Sequence, residues 1–358
     1  VYRFIHDRIQ QAAYSLIPES QKKATHLTVG RRLLAHFRQT QLDERIFEIV
    51  NQLNRAIDLQ NQTGERLELC GLNMIAGQKA KAASAFASAW NYFKIALAVL
   101  PQNSWQSHYP VTRSLYEAGV EASYYSGDSE ATHALIQEIL RRAKTLLDAA
   151  RAHEIKILML GGENRFQEAI ETGIKVLALM GIDLPEDADR IDLHTALQEA
   201  GSLYRGKQIE DFADRPMTTD PLLLAAMRIL ESLSGAAYLS SPKLYVLIIL
   251  KRMELIVRHG NVPTSALCYA SFGALLCARV GDIESGYRFG QLALDSLQRM
   301  KTPEYFCRVT CLVDGFILHW KIHVAKTLEP LHLAYAKGLE TGELEFAAYS
   351  AILYCGFT

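Results

Sequence analysis

Residues 73–101 read NMIAGQKAKAASAFASAWNYFKIALAVLP. Gly77 and Ala80 share one face of a helix predicted over 65–83. Ala89, Phe93 and Ala96 share one face of the next, over 85–100, which Pro101 closes. Side chains three and four apart lie on the same helix face. Small residues on one helix let a neighbour come close, and an aromatic ring on the neighbour fills the space, which is how ridges settle into grooves. Proline removes a backbone donor and clashes with the turn before it, so it ends the second helix. The segment therefore predicts a tightly packed antiparallel helix pair.

Weaker copies follow. The GD turn at Gly127 and Asp128 recurs at Gly281 and Asp282, and in altered form around Asn164 and Arg165 and at Gly342 and Glu343. In each, Gly is expected to close one helix in the left-handed conformation while the acidic or amide side chain caps the next. Aligned on Ala89, Thr132 and Ala169, the period is 43 and then 37 residues. The spacing of Gly77, Ala89, Phe93, Ala96 and Pro101 resembles the second half of a tetratricopeptide (TPR) unit. The resemblance reaches roughly two thirds of the chain, although a regular array of that family repeats at about 34 residues. It implies an all-α fold: a TPR-like right-handed superhelix, or α-solenoid, of antiparallel helix pairs.

The rest of the chain agrees with an all-α reading. Its 358 residues are 49% apolar and 22% charged, with ten prolines that fall almost entirely between periodic segments. Only 1–5 reads as a short strand. Thirty-eight Lys and Arg against 39 Asp and Glu give a net charge of −1. That balance argues against nucleic acid as a partner, because such binding rests on neutralising phosphates. No apolar run reads as long enough to span a bilayer, the longest lying around 244–250, so no membrane role is expected. The six cysteines form no CxxC pair and sit in apolar helical patterns, which predicts reduced, buried thiols and a cytoplasmic protein. The chain opens VYRFIHDR, inside a patterned segment, and is expected to be a piece of something longer.

A second resemblance begins there. Phe4, His6, Asp7, Gln11, Ala12, Ala13, Tyr14, His26, Gly30, Leu33 and Leu34 match the end of the winged-helix subdomain of bacterial STAND-type signalling ATPases. With FEIVNQLNRA, LNMIAGQKAKAA, SWQ and LEFAAYSA further along, the chain is similar to very large bacterial multi-sensor kinases. Their order is serine/threonine kinase, STAND-type ATPase, long TPR-like region, GAF sensor and histidine kinase. The resemblance implies a winged-helix remnant over 1–40, a first part of the helical array over 41–205 and a second part, truncated, over 221–358. The charged, proline-marked 206–220 is the expected linker.

Catalytic signatures are missing. There is no GxxxxGK[ST] phosphate loop, no kinase VAIK, HRD or DFG, and no GxSxG, HExxH or GxGxxG. No cofactor is expected in this chain; the resemblance places ATP in other domains of a parent serine/threonine and histidine kinase. His319 and His323 are four apart and could place two imidazoles on one helix face for a metal, yet no third ligand is obvious, and packing is the plainer reading. Cys307 and Cys311 read as core thiols. His6 and Asp7 are adjacent, so they face different ways and make no acid–base dyad.

In TPR units the first helix of each pair lines a concave groove. Counting back from the second-helix anchors puts Gln78, Lys81, Glu117, Glu121, Tyr124, Tyr125, Arg151 and Glu154 on that side. Such a face can hold a peptide, or can simply be a wet surface with half-packed rings. The expected function is a non-catalytic scaffold that contacts neighbouring kinase domains and a peptide or protein partner. Alternatives are a small-effector or peptide sensor governing the adjacent ATPase, and an enzyme with a cryptic site.

Overall fold

The structure is a computed structural model that describes residues 7–38 and 41–358. The strand expected over 1–5, Phe4, His6 and the side chains of Asp7 and Ala13 lie outside what it describes. Contacts divide the chain into two compact units, one ending at Arg142 and the other starting at Ala143. Among the described residues there is no strand, only an isolated parallel bridge between Met217 and Asn261.

The first unit holds α1 (Asp7–Ser15), α2 (Glu19–Phe37), α3 (Leu42–Asn54), α4 (Thr63–Ala82), α5 (Phe86–Val99), α6 (Ser104–Ser107), α7 (Tyr109–Ser126) and α8 (Ser129–Arg142). Helices α2 and α3, α4 and α5, and α7 and α8 pack as successive pairs, with α3 also on α4 and α5 on α7. Helix α2 meets α3 closely at Gly30, where a Cβ would come within 2.7 Å of the Leu53 side chain. Tyr14 and His26, two residues of the ATPase resemblance, share a 3.0 Å hydrogen bond, and His26 reaches Gln52 of α3. The residues assigned to 19–38 thus pack into the same unit as those that follow.

The second unit holds α9 (Leu146–Gly162), α10 (Phe166–Leu179), α11 (Leu193–Ala200), α12 (Pro221–Ser240), α13 (Pro242–His259), α14 (Ser265–Leu275), α15 (Ile283–Met300), α16 (Phe306–Phe316), α17 (Leu328–Thr341) and α18 (Leu344–Phe357). One apolar core runs through it from Ala150 to Leu318.

One joint recurs in five hairpins. Ser84, Gly127, Asn164, Gly281 and Gly342 all have positive φ, between 55° and 82°, at the turn between paired helices. Four residues before and five after each joint, two buried residues face each other: Ala80 with Ala89, Ser123 with Thr132, Leu160 with Ala169, Cys277 with Gly286, and Gly338 with Ala347. The Thr132 hydroxyl donates to Ser123 Oγ at 2.9 Å, and a Cβ on Gly338 would lie 2.8 Å from that of Ala347. The backbone N–H groups of Ala85, Asp128 and Arg165 return to the carbonyls of Ala80, Ser123 and Leu160, the six-to-one closure of a left-handed helix end. At Asp282 that bond reaches Leu276, one residue further back, because 276–280 is wound as a π turn.

The expected caps form at Asp128 and Asp282, which accept the N–H of Ala131 and Ser285. They do not form in the other two copies. Around 161–164 it is Asn164 that turns left-handed, and Gly342 is followed by Glu343, whose carboxylate goes to Arg308 instead of the helix end. The Gly77–Phe93 contact is as read from sequence: a Cβ on Gly77 would sit 2.5 Å from Phe93 Cε1. At the same places in α9 and α10 stand Ile157 and Gly173, and the close approach at Gly173 is made instead by Leu233 of α12, 2.9 Å from where its Cβ would lie.

Several expectations need correction. The segment 206–220 is no free linker: Ile209 and Phe212 are each 2% exposed, and the Asn261 side chain donates to the Phe212 and Arg215 carbonyls. Arg288 of α15 grips Glu210 and holds its carboxyl down to about 2. The helix expected over 189–204 is broken, because Asp187 and Asp192 each start a new short element by capping it. That over 303–320 ends at Phe316, between 3-10 turns at Pro303–Tyr305 and Leu318–Trp320. Helix α12 is long and apolar enough to cross a membrane by length and composition, which the reading of 244–250 overlooked. Half of it is buried in the core, and its Arg228 and Glu231 are ion-paired. Cys355 is exposed rather than buried.

Candidate interaction faces

The residues expected on a concave groove separate into two sets, one in each unit. In the first unit, ion pairs tie the leading helices of successive hairpins together. Arg31 and Arg38 of α2 reach Glu65 and Glu68 of α4, and Lys81 of α4 meets Glu121 of α7 at 3.0 Å. Glu117 pairs with Arg113 on its own helix at 3.5 Å, while Gln78 is exposed. Tyr124 is half-buried and meets Tyr125 edge-on, with centroids 5.0 Å apart. Tyr125 leans away from α4, onto Phe86 of α5 at 4.8 Å. Lys81 and Glu121, both expected on the groove side, meet as an ion pair that the spacing did not foretell; Tyr125 belongs to the turn end of the hairpin.

In the second unit Glu154 is buried at 7% exposure, so it is a structural hub and not a groove wall. It holds Arg151 from its own helix at 2.5 Å and Arg228 from α12 at 3.3 Å. A parallel tie joins Glu231 of α12, Arg308 of α16 and Glu343 before α18, with Arg308 between the two carboxylates at 2.9 and 2.6 Å. Burial raises the Glu231 carboxyl, and the nearby Arg252 and Arg308 draw it back down. Arg252 itself is 2% exposed and its Nε and Nη2 find no hydrogen bond, so Glu231 answers its charge at longer range. The sequence reading missed these cross-ties, because their partners lie 35 to 77 residues apart.

The metal reading does not hold. Helix α16 ends before His319, and His323 is extended (ψ 132°) and caps the next turn through Nδ1, so the two imidazoles share no helix. Among the described residues no group of His, Cys, Asp and Glu is arranged for a metal. Cys307 and Cys311 are buried, and burial pushes both thiols up to about 11, away from reactive thiolate.

A further face, which the sequence reading did not single out, lies between α3 and α5. Both pack on α4, and beside the few side chains that join them lies an open groove of about 500 Å³. Asn51, Asn54 and Arg55 line one wall, and Ser88, Asn91, Tyr92 and Ile95 the other. Their spacings of three, four and seven residues put each set on one helix face, which is the signal that could have revealed it.

No family model matches the chain. It is 26% identical over 396 residues to the hybrid signal transduction histidine kinase G of Dictyostelium discoideum. That similarity takes in 98% of this chain and 12% of the length of the relative, so the chain spans a small part of the protein it resembles.

Proposed function

We propose that the chain is a non-catalytic, tetratricopeptide-like scaffold that carries signals between the domains of a larger kinase. The recurrence of one joint, with its buried pair four residues before and five after, supports this most strongly: it is what a decayed array of helix hairpins would retain. Similarity along nearly the whole chain to a hybrid histidine kinase supports the setting. In this reading a parent protein supplies ATP and its catalytic residues from other domains, residues 1–40 are the remnant of a winged-helix ATPase lobe, and the array forms a right-handed superhelix in the cytoplasm. The leading helices α4 and α7, with Gln78, Lys81, Glu117, Glu121 and Tyr124, offer the face on which a neighbouring domain docks. Arg151 and Glu154 serve the array by holding α9 to α12.

Two measurements test it together. The purified 358-residue protein should hydrolyse no ATP above a protein-free control. In the full-length kinase, Lys81→Glu, which sets two carboxylates against each other at Glu121, should shift autophosphorylation while the kinase and ATPase domains keep their nucleotide affinity. ATP turnover by the chain itself, or autophosphorylation indifferent to the substitution, would contradict the proposal.

A further inference from the structure

We propose that the groove between α3 and α5 is a peptide-binding site that takes an extended segment bearing an acidic side chain. It is separate from the α4–α7 face discussed above and does not depend on it.

The groove arises from packing. Helix α4 carries both α3 and α5, and across the gap these two meet through a pair of aromatic rings and one hydrogen bond. Phe47 stacks on Tyr92 with centroids 5.6 Å apart, and the Tyr92 hydroxyl donates to Asn51 Oδ1 at 3.2 Å. Asn54 exchanges hydrogen bonds of 2.9 Å with the fully buried Asn73. These contacts fix both walls before any ligand arrives, so little ordering is left to oppose binding.

The polar groups on those walls are unequally used. Asn51 has spent its carbonyl on Tyr92, and its NH₂ remains. Ser88, Asn91 and Arg55 are exposed and hold no hydrogen bond or ion pair among the described residues. A carboxamide offers two donors and an acceptor, the same pairing that a peptide unit presents. Asn51, Asn91 and Ser88 on the two walls of the groove therefore suit main chain better than an apolar side chain, and Ile95 with the Tyr92 ring adds an apolar strip to the α5 wall.

Arg55 supplies the charge preference. Arg31, Arg38 and Arg45 are paired, whereas Arg55, like the exposed Arg8 and Arg32, holds no ion pair among the described residues; the carboxylates nearest to it in sequence, Glu48 and Asp58, are held by Arg45 and Lys23. A cation at a helix C-terminus also answers the helix dipole. The dipole does not call for the unused Asn91 amide and Ser88 hydroxyl on the facing wall. Guanidinium binds carboxylate through two parallel hydrogen bonds, which fits an Asp or Glu side chain projecting from the segment.

The test uses the whole 358-residue protein and three biotinylated octapeptide pools of the form X4-Glu-X3, X4-Gln-X3 and X4-Lys-X3, with proline omitted at X. Immobilised pools should retain the protein in the order Glu, Gln, Lys, with about a tenfold difference between the first and last. Arg55→Gln should erase the difference between the Glu and Lys pools. Asn91→Ala should weaken retention on the Glu and Gln pools together, because it removes main-chain contacts. Both residues are exposed, so the variants should keep the wild-type helical circular dichroism. Equal retention on all pools, or retention that survives Arg55→Gln and Asn91→Ala but falls in Lys81→Ala, would overturn the proposal.

Discussion

Asp314 lies on α16, 3% exposed, and burial alone pushes its carboxyl up to about 7. Cys311, one turn before it, stays a neutral thiol to about 11 and does not titrate in the same range. Since the folded value lies above the ordinary 3.8, the fold prefers the protonated acid. Its contribution to stability is complete below that ordinary value and is lost as the pH rises through 7; on the order of a few kcal/mol is at stake. Thermal melts should therefore fall between about pH 4 and pH 7 in the wild type, and Asp314→Asn should flatten that fall and raise the melting temperature above it. An equal slope in both proteins would refute the assignment. At this scale the sequence was only partly informative. Gly77 and Phe93 could be matched because hairpin partners are sixteen residues apart in an ordered spacing. Asp314, Glu154 and Arg308 could not, since whether a charged residue on a helix is wet or buried depends on helices far along the chain.

Among the elements, hairpin α4–α5 is the most demanding. A methyl at Gly77 has no room beside the Phe93 ring, which is fully buried in a pair flanked by α3 on one helix and α7 on the other. Gly77→Ala should destabilise the protein by about 1–3 kcal/mol through overpacking, despite the better helix propensity of alanine. Phe93→Leu should recover part of that loss when combined with it, although it is harmful alone. A double-mutant cycle in denaturant measures this, and strictly additive effects would mean that the two residues do not touch. Helix existence was legible nearly everywhere because periodicity and proline placement agree. The failures are local: at 189–204 aspartates preferred to cap new turns, and at 303–320 the helix gave way to tight turns at both ends. A capping side chain competes with helix continuation over one turn, a contest that an average over fifteen residues does not register.

For the molecule as a whole, the boundary at Arg142 and Ala143 replaces the one sought at 206–220. Composition pointed to 206–220, with its charges and proline, yet two apolar residues three apart, Ile209 and Phe212, were enough to pin it to the core. The actual division falls in RRAKT, where a Thr145–Asp148 capping box starts α9 without glycine or proline. Because the main apolar cluster of the second unit, Ala150 to Leu318, lies wholly inside that unit, residues 143–358 expressed alone should remain helical and melt cooperatively. Loss of helical signal in that piece would show that its fold leans on the first unit.

The five joints also bear on how such a chain drifts over generations. What the facing positions share is a fit more than a residue: alanine recurs at the second position of three pairs, yet its partner there is alanine, leucine or glycine, and elsewhere serine meets threonine and cysteine meets glycine. A glycine can even take its large partner from outside the hairpin, as Gly173 of α10 does with Leu233 of α12 where Gly77 of α4 meets Phe93 of α5. Descendants of one ancestral hairpin are then free to lose every shared letter while keeping the same joint, and the inheritance persists as a rhythm of volumes.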